Sequence, residues 1–246
     1  MPEVIIPGPA GRLEARYRPA QVARAPVALV MHPSPLLDFT MKSPIVDGLY
    51  EKLSEHDFSV LRFNFRGVGR SEGQKGAGDG EVSDAAAVLD WVQMQSPEAS
   101  AIWVAGFSFG AWVAMQLLMR RPEVDRFIVL APLANKFDFS FLQPCPASGL
   151  VVQGDKDRFS NPVSVGNWVR ELNMQTDVQA KDIEIVYKII PGADHFFTNH
   201  TDKMIRAVER YVRSVHAPVE PKKKKPPARS SRSSRRKKTS SRSRAS

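Results

Sequence analysis

One serine of this chain stands in a setting that could make it a nucleophile. Ser108 is the centre of the pentapeptide Gly106–Gly110, which lies between the apolar run 101–105 and a stretch with helical spacing at 111–120. A serine hydroxyl is a weak nucleophile at neutral pH, so it needs a turn that exposes it and a histidine that takes its proton. Glycines at both ends leave room for a strand and a helix to approach closely. The pattern therefore predicts a nucleophile elbow at Ser108.

A histidine and an aspartate that could activate this serine follow two later apolar runs. Asp157 comes shortly after the run 150–153, and His195 follows the run 183–190. In a parallel sheet, the loops at the carboxyl ends of the strands collect at one edge. We therefore predict that His195 is the general base. Asp157 would hold its imidazole in the right tautomer and stabilise the imidazolium cation.

Other aspartates and histidines receive structural interpretations. Asp155 and Asp194 also lie near strand ends, but the spacing Gly-x-x-Asp after the penultimate strand favours Asp157. We expect Asp155 and Asp194 to cap backbone turns. His32 is predicted to brace its own loop by hydrogen bonding, and His200 to lie at or near the start of the last helix.

An acyl-transfer site also needs two N–H groups directed at the developing oxyanion. Phe109, directly after the serine, supplies one candidate. The second is expected from the segment after the run 27–31, where Pro33 and Pro35 have no N–H to donate. This leaves Ser34 as the predicted donor, with Leu36 as the alternative.

The elements that must position these groups alternate along the chain. Short runs rich in Val, Ile and Leu predict strands at 27–31, 59–63, 101–105, 127–130, 150–153 and 183–190. Helical spacing lies between them, for example at Met41, Ile45, Leu49 and Leu53. Most of the runs are apolar without alternation, as in strands that are covered on both faces. We therefore predict an α/β fold with a mostly parallel sheet and helices on both faces, and an antiparallel edge strand at 13–17.

The basic charge of the chain is confined to one end. The net charge is +9, but residues 217–246 hold 12 Lys or Arg against one Glu, which leaves 23 basic and 25 acidic residues in the remainder. We predict one domain at 1–216 and a disordered tail at 217–246 that is rich in Lys, Arg, Ser and Pro. Such a tail could bind nucleic acid or an anionic surface without reading a sequence, or it could be a solvated appendage.

The remaining composition predicts a cytoplasmic protein without a cofactor. The single cysteine, Cys145, cannot form an internal disulfide, and we expect it to be a packing residue in a reducing compartment. The chain begins without a signal-like segment and contains no run of 18 apolar residues. The five histidines show no metal-ligand spacing, so we expect neither a metal ion nor a cofactor.

A glycine-rich loop with two arginines follows the run 59–63, at residues 64–73. Its spacing fits neither a nucleotide loop nor a dinucleotide fingerprint, so we predict that it supports the floor of the site. Arg66 is expected to tie neighbouring loops together. Five phenylalanines near the elbow could line an acyl pocket or pack in the core: Phe107, Phe109, Phe137, Phe139 and Phe141.

Taken together, these segments resemble the α/β-hydrolase superfamily. Within it they are most similar to compact, lidless bacterial hydrolases related to dienelactone hydrolases and small esterases. The similarity covers about residues 3–215 and is carried by segments 32–36, 64–73, 106–110, 154–157 and 193–197. It implies an eight-stranded, mostly parallel sheet, an open site with a minimal cap or none, and an acyl-enzyme mechanism through Ser108, His195 and Asp157.

Two functions follow as hypotheses. The first is a serine hydrolase that cleaves the carboxylic ester, thioester or peptide-like bond of a small-molecule acyl substrate. The second is a non-catalytic binding module of the same fold, whose basic tail binds nucleic acid or an anionic surface. A Ser, Asp and His set in the order of this superfamily favours the enzyme.

Overall fold

The structure, a computed structural model, describes residues 3–76, 78–178 and 183–216, without the side chains of 176–178. The predicted tail at 217–246 lies outside these residues. The strands are β1 (Glu3–Gly8), β2 (Gly11–Arg18), β3 (Val27–Met31), β4 (Ser59–Phe63), β5 (Ile102–Phe107), β6 (Arg126–Leu130), β7 (Ser148–Gly154) and β8 (Ile185–Ile190). The α-helices are α1 (Pro44–Glu55), α2 (Asp79–Gln95), α3 (Phe109–Arg120), α4 (Pro162–Val178) and α5 (Thr201–Val215), and two short 3-10 helices lie at Pro35–Leu37 and Ser140–Leu142.

All eight strands form one mostly parallel sheet, in the order β1-β2-β4-β3-β5-β6-β7-β8. β2 pairs antiparallel with both β1 and β4, and the remaining pairs are parallel. β3 and β4 are buried along their whole length. The apolar runs of these strands are unbroken because helices cover both faces, as the sequence indicated.

The two faces of the sheet carry separate hydrophobic layers. One layer packs α2, α3 and α4 against side chains such as Leu29 and Val104. The other packs α1 and α5 against side chains such as Val30 and Ala105. Successive residues of a strand point to opposite faces, so each central strand contributes to both layers. This confirms the predicted fold class.

Two details of the sheet differ from the prediction. Residues 13–17 do form an antiparallel strand, but β1 pairs with it and occupies the edge. β1 is a short strand that contains Pro7, and proline is tolerated on an edge strand. The last strand begins at Ile185 and not at residue 183.

Two helices also differ from their sequence signals. α1 begins at Pro44, so Met41 lies outside the helix. The helix begins there because proline is favoured in the first turn, and Ser43 directly precedes Pro44. α4 was not predicted, since its polar residues leave only a narrow apolar face. That face, Val165, Trp168, Val169 and Leu172, packs on the sheet.

Candidate active site

Ser108 connects the end of β5 to the start of α3 in a strained conformation. Its φ of +58° and ψ of −115° are rare for a residue with a side chain. The flanking glycines are required by close backbone contacts. A Cβ on Gly110 would lie 2.5 Å from the carbonyl oxygens of Met31 and His32, and one on Gly106 would overlap the Gly110 carbonyl. The predicted strand, turn and helix around Ser108 are therefore present.

The structure brings Ser108, His195 and Asp157 together in one chain of hydrogen bonds. His195 Nδ1 lies 2.7 Å from Asp157 Oδ2, and His195 Nε2 lies 2.9 Å from Ser108 Oγ. A carboxylate accepts, so Nδ1 carries the proton and Nε2 is the acceptor for the serine hydroxyl. All three residues are buried. This arrangement can withdraw the proton of Ser108 and hold the resulting imidazolium.

Asp157 is held in its ionised form by its neighbours. Burial alone would raise its pKa, but hydrogen bonds from His195 and from the Ser160 and Phe159 amides outweigh burial, and the pKa lies below its usual range. The two amides lie 2.9 and 2.7 Å from Oδ1. A carboxylate with several donors stays charged and can orient the imidazole.

Gln153 is a site residue that the sequence analysis did not single out. It lies at the end of β7, is fully buried, and donates through Nε2 to Asp157 Oδ2 at 2.7 Å and to the Ser160 carbonyl at 3.3 Å. A polar amide at the end of an otherwise apolar strand was the available signal. Its contacts fix the position of Asp157.

Of the two other aspartates, Asp194 caps a backbone turn, as expected, whereas Asp155 connects the loop after β7 to the loop after β8. Asp155 Oδ1 accepts from the Gly192 amide at 2.6 Å, and Asp194 Oδ1 accepts from the Thr198 amide at 2.8 Å. His200 immediately precedes α5, as predicted.

His32 connects its own loop after β3 to the loop after β4 through its two ring nitrogens. Nδ1 lies 2.7 Å from the Pro33 carbonyl and therefore donates, and Nε2 accepts from the Phe65 amide at 3.1 Å. Burial lowers the pKa of His32 to about 3, against the weaker opposing effect of the Pro33 hydrogen bond. The Nδ1 contact braces the loop of His32 itself, as predicted, whereas the Nε2 contact with the loop after β4 was not predicted.

The candidate oxyanion donors flank the elbow. Phe109 is the first residue of α3, and Ser34 immediately precedes the short helix Pro35–Leu37. Neither amide donates a hydrogen bond to another described residue. Leu36 lies inside the short helix with an exposed side chain. The assignment of Ser34, with Leu36 as the alternative, stays a prediction.

The glycine-rich loop after β4 is tied to its surroundings by polar side chains. Asn64 accepts from the Met41 amide and donates to Glu14, both at 2.8 Å. Arg66 donates to both carboxylate oxygens of the buried Asp84, at 2.9 and 2.6 Å. Asp84 belongs to α2, so Arg66 ties the loop to a helix and not to neighbouring loops.

Aromatic side chains surround the imidazole of His195. Phe107, Phe159 and Phe196 lie with ring centroids 5.4, 5.1 and 5.1 Å from it. Phe159 is 45% exposed and Phe196 39% exposed, so both border the opening of the site. Neither side chain was among the predicted pocket residues.

The five phenylalanines that were predicted to line an acyl pocket or to pack in the core lie in the interior. Phe107, Phe109 and Phe139 are buried, and Phe137 and Phe141 are partly buried against the core.

Across the described ranges, no three His, Cys, Asp or Glu side chains cluster in a way that could hold a metal ion. Cys145 is buried, and burial raises its pKa to about 11. In the same part of the chain, no helix is both long enough and apolar enough to cross a membrane.

Comparison with known proteins identifies the family. The family model described as serine aminopeptidase S33 matches residues 39–146, a range that includes Ser108 and ends before Asp157 and His195. A putative α/β hydrolase from Agrobacterium tumefaciens, described as a protein of unknown function, is 47% identical. The match covers 89% of this chain and 100% of that one, with a TM-score of 0.82.

A serine hydrolase without a lid from Xanthomonas campestris is 34% identical over 89% of this chain and 96% of its own, with a TM-score of 0.77. Lysophosphatidylserine lipase ABHD12 of Xenopus tropicalis is 30% identical over 129 residues, which are 44% of this chain and 33% of that protein. This chain thus spans about a third of the length of the lipase. The chain belongs to the α/β serine hydrolases. The two bacterial hydrolases named above match it over nearly their full length, and one of them has no lid.

Proposed function

We propose that this protein is a serine hydrolase that cleaves a carboxylic ester or a related acyl bond through an acyl-enzyme intermediate. The observation that carries the proposal is the hydrogen-bonded chain from Asp157 through His195 to Ser108, on a strained turn between a strand and a helix. Strain at a buried polar residue is typical of functional positions. A purely structural serine would need neither the conformation nor the two partners.

In the first half-reaction, Ser108 Oγ attacks the carbonyl carbon while His195 Nε2 takes the hydroxyl proton. The carbonyl oxygen becomes an oxyanion, which accepts hydrogen bonds from the amides of Phe109 and Ser34, or of Leu36 in place of Ser34. His195 then gives its proton to the leaving group as the bond between that group and the carbonyl carbon breaks. The acyl group stays on Ser108.

In the second half-reaction, water takes the place of the leaving group. His195 removes a proton from the water, whose oxygen attacks the acyl carbon, and returns the proton to Ser108 Oγ as the ester to the enzyme breaks. Asp157 stays ionised throughout and stabilises the imidazolium. The products are a carboxylic acid and the alcohol, thiol or amine that left first.

Of the three bond types, an ester is the one we favour. The lipase named above is similar to this chain over 129 residues, and its name describes ester cleavage. The open mouth bordered by Phe159 and Phe196 suits a small or extended substrate. Thioester and amide substrates follow the same chemistry and belong in the same screen.

Labelling by a fluorophosphonate, measured by intact mass, tests for the activated serine. We expect the wild type to gain one probe, and both Ser108→Ala and His195→Ala to lose labelling. Ser54→Ala is a matched control, because Ser54 lies on α1 and its hydroxyl donates to the Tyr50 carbonyl.

A wild type that stays unlabelled contradicts the proposal and favours the binding-module hypothesis. Labelling that persists in Ser108→Ala would assign the reactive group to another residue.

A further inference from the structure

A cavity of about 600 Å³ opens beside His195. It lies between the loop that follows β7 and the loop that follows β8. Its lining includes Lys156, Arg158 and Phe159 from the first loop and Asp194, His195 and Phe196 from the second. Its size is that of a small-ligand site.

The two loops are fixed to each other, so the cavity exists before a ligand arrives. Asp155 Oδ1 accepts from the Gly192 amide at 2.6 Å, and the Lys156 amide donates to the Ala193 carbonyl at 3.0 Å. A rigid site loses little conformational entropy when it binds.

The cavity is lined by His195, the residue that protonates the leaving group in the proposed mechanism. His195 gives its proton to the leaving atom, so this part of the substrate sits against the imidazole. The candidate oxyanion donors, Ser34 and Phe109, come from other loops, after β3 and β5. His195 itself lines the cavity together with Phe159 and Phe196, which contact its ring, so the cavity borders the imidazole that protonates the leaving atom.

The charges of the cavity favour an anion. Lys156 and Arg158 are exposed and form no ion pair with any described residue. The one lining carboxylate, Asp194, accepts from the Thr198 amide. A third cation is near, since Lys136 Nζ lies 5.2 Å from the centroid of the Phe159 ring. Two unpaired cations beside a small cavity can bind a carboxylate or phosphate through charge-assisted hydrogen bonds.

We infer that the preferred substrates are esters whose leaving alcohol carries a carboxylate or phosphate, and that Lys156 and Arg158 determine this preference. The inference rests on the proposed hydrolase function and adds the substrate class. Aromatic walls and the imidazole hold the alcohol near the reacting atoms, while the two cations bind its anionic end.

Butyryl monoesters of glycerol, glyceric acid and glycerol 3-phosphate test the inference, because they share the acyl group and differ in the charge of the alcohol. The readout is kcat/KM from released butyrate. We expect the wild type to prefer an anionic ester over the glycerol ester by on the order of tenfold. The comparison of the two anionic esters shows whether carboxylate or phosphate is favoured.

The variant Lys156→Gln/Arg158→Gln is expected to reduce this ratio to about one. The matched control is Lys188→Gln/Arg210→Gln, which removes the same two charges from a separate cleft lined by Lys188, Arg210 and Tyr211. The control should keep the wild-type preference. Added salt should reduce the preference of the wild type, since it screens exposed charges.

Equal turnover of the three esters by the wild type overturns the inference, and so does a preference that survives in Lys156→Gln/Arg158→Gln. An equal loss of the preference in Lys188→Gln/Arg210→Gln would assign the preference to net charge and would also overturn the inference. In each of these cases, fluorophosphonate labelling and glycerol ester turnover still support the hydrolase. If the wild type is neither labelled nor active on any ester, both proposals fail.

Discussion

At the scale of single residues, Ser108 and His32 show two different ways in which a polar side chain is held inside this fold. Ser108 has a backbone conformation that costs about 1–3 kcal/mol for a residue with a side chain. His32 is neutral between two fixed partners. Each case leads to a measurable consequence for stability.

The strain at Ser108 predicts that Ser108→Gly is more stable than Ser108→Ala. Both variants remove the hydroxyl, but glycine adopts a φ of +58° without a steric penalty. The entropy of glycine in the unfolded chain opposes part of this gain, so we expect a difference of about 1 kcal/mol in the free energy of unfolding. Urea unfolding of the two variants measures it. Equal stability would mean that the turn is not strained.

His32 predicts a loss of stability in mild acid. Its folded-state pKa of about 3 lies below the unfolded value of 6.5, so between these pH values the unfolded chain binds a proton that the folded chain does not. The free energy of unfolding therefore falls as the pH is lowered through this window, by up to about 1.4 kcal/mol per pH unit from this one group.

We expect His32→Gln to be less stable than the wild type at pH 7 but to lose less stability between pH 6.5 and 5. A glutamine can accept from the Phe65 amide and cannot take up a proton. Denaturant unfolding at pH 7, 6 and 5 measures the slope of the free energy of unfolding against pH for each of the two proteins. Parallel slopes for the two proteins would exclude His32 as the source of the acid sensitivity.

At the scale of elements, the loops at the carboxyl ends of the strands deliver the site. β5 with α3 presents Ser108, the loop after β7 presents Asp157, and the loop after β8 presents His195. The loop after β3 would complete the site with a second oxyanion donor.

Proline substitutions in that loop identify this donor. Ser34 has a φ of −51°, close to the fixed φ of proline, so Ser34→Pro removes the N–H with little change of the backbone. We expect its kcat/KM to fall by about 10²–10³-fold, as for other oxyanion donors. Ser34→Ala keeps the N–H and serves as the control. If Leu36→Pro shows the loss and Ser34→Pro does not, the assignment passes to Leu36.

At the scale of the whole molecule, the hydrolase domain and the basic segment have separate charges. Removal of residues 217–246 changes the net charge from +9 to −2. The described core, the candidate site and the five described α-helices lie before residue 217.

We expect a chain ending at residue 216 to keep the ester turnover and melting temperature of the full chain and to lose most of its retention on heparin. Added salt should progressively weaken the retention of the full chain on heparin, because the interaction is electrostatic. Equal heparin retention of the two proteins would contradict the hypothesis that the segment binds anionic partners. A large fall in turnover would show that the segment contributes to the site.

The sequence by itself determined the features that depend on local pattern. Buried strands need continuous apolar runs, and a strand, turn and helix around a nucleophile needs small residues at 106 and 110, so both could be read from spacing. The order of Ser108, Asp157 and His195 along the chain pointed to the same three strand ends that the fold brings together. Asp194 was also interpreted correctly, because capping a turn four residues away is a local role.

Tertiary structure alone decided features that depend on residues distant in sequence. In the sequence, Gln153 is one more residue of a strand. Only the fold places its amide within hydrogen-bond distance of Asp157. Phe159 and Phe196 lie 37 positions apart and become neighbours only when β7 and β8 pair. The cavity beside His195 and its two cations arise in the same way, because a space between two loops has no pattern in either one. Local sequence fixes which groups are present, and long-range pairing fixes which of them meet.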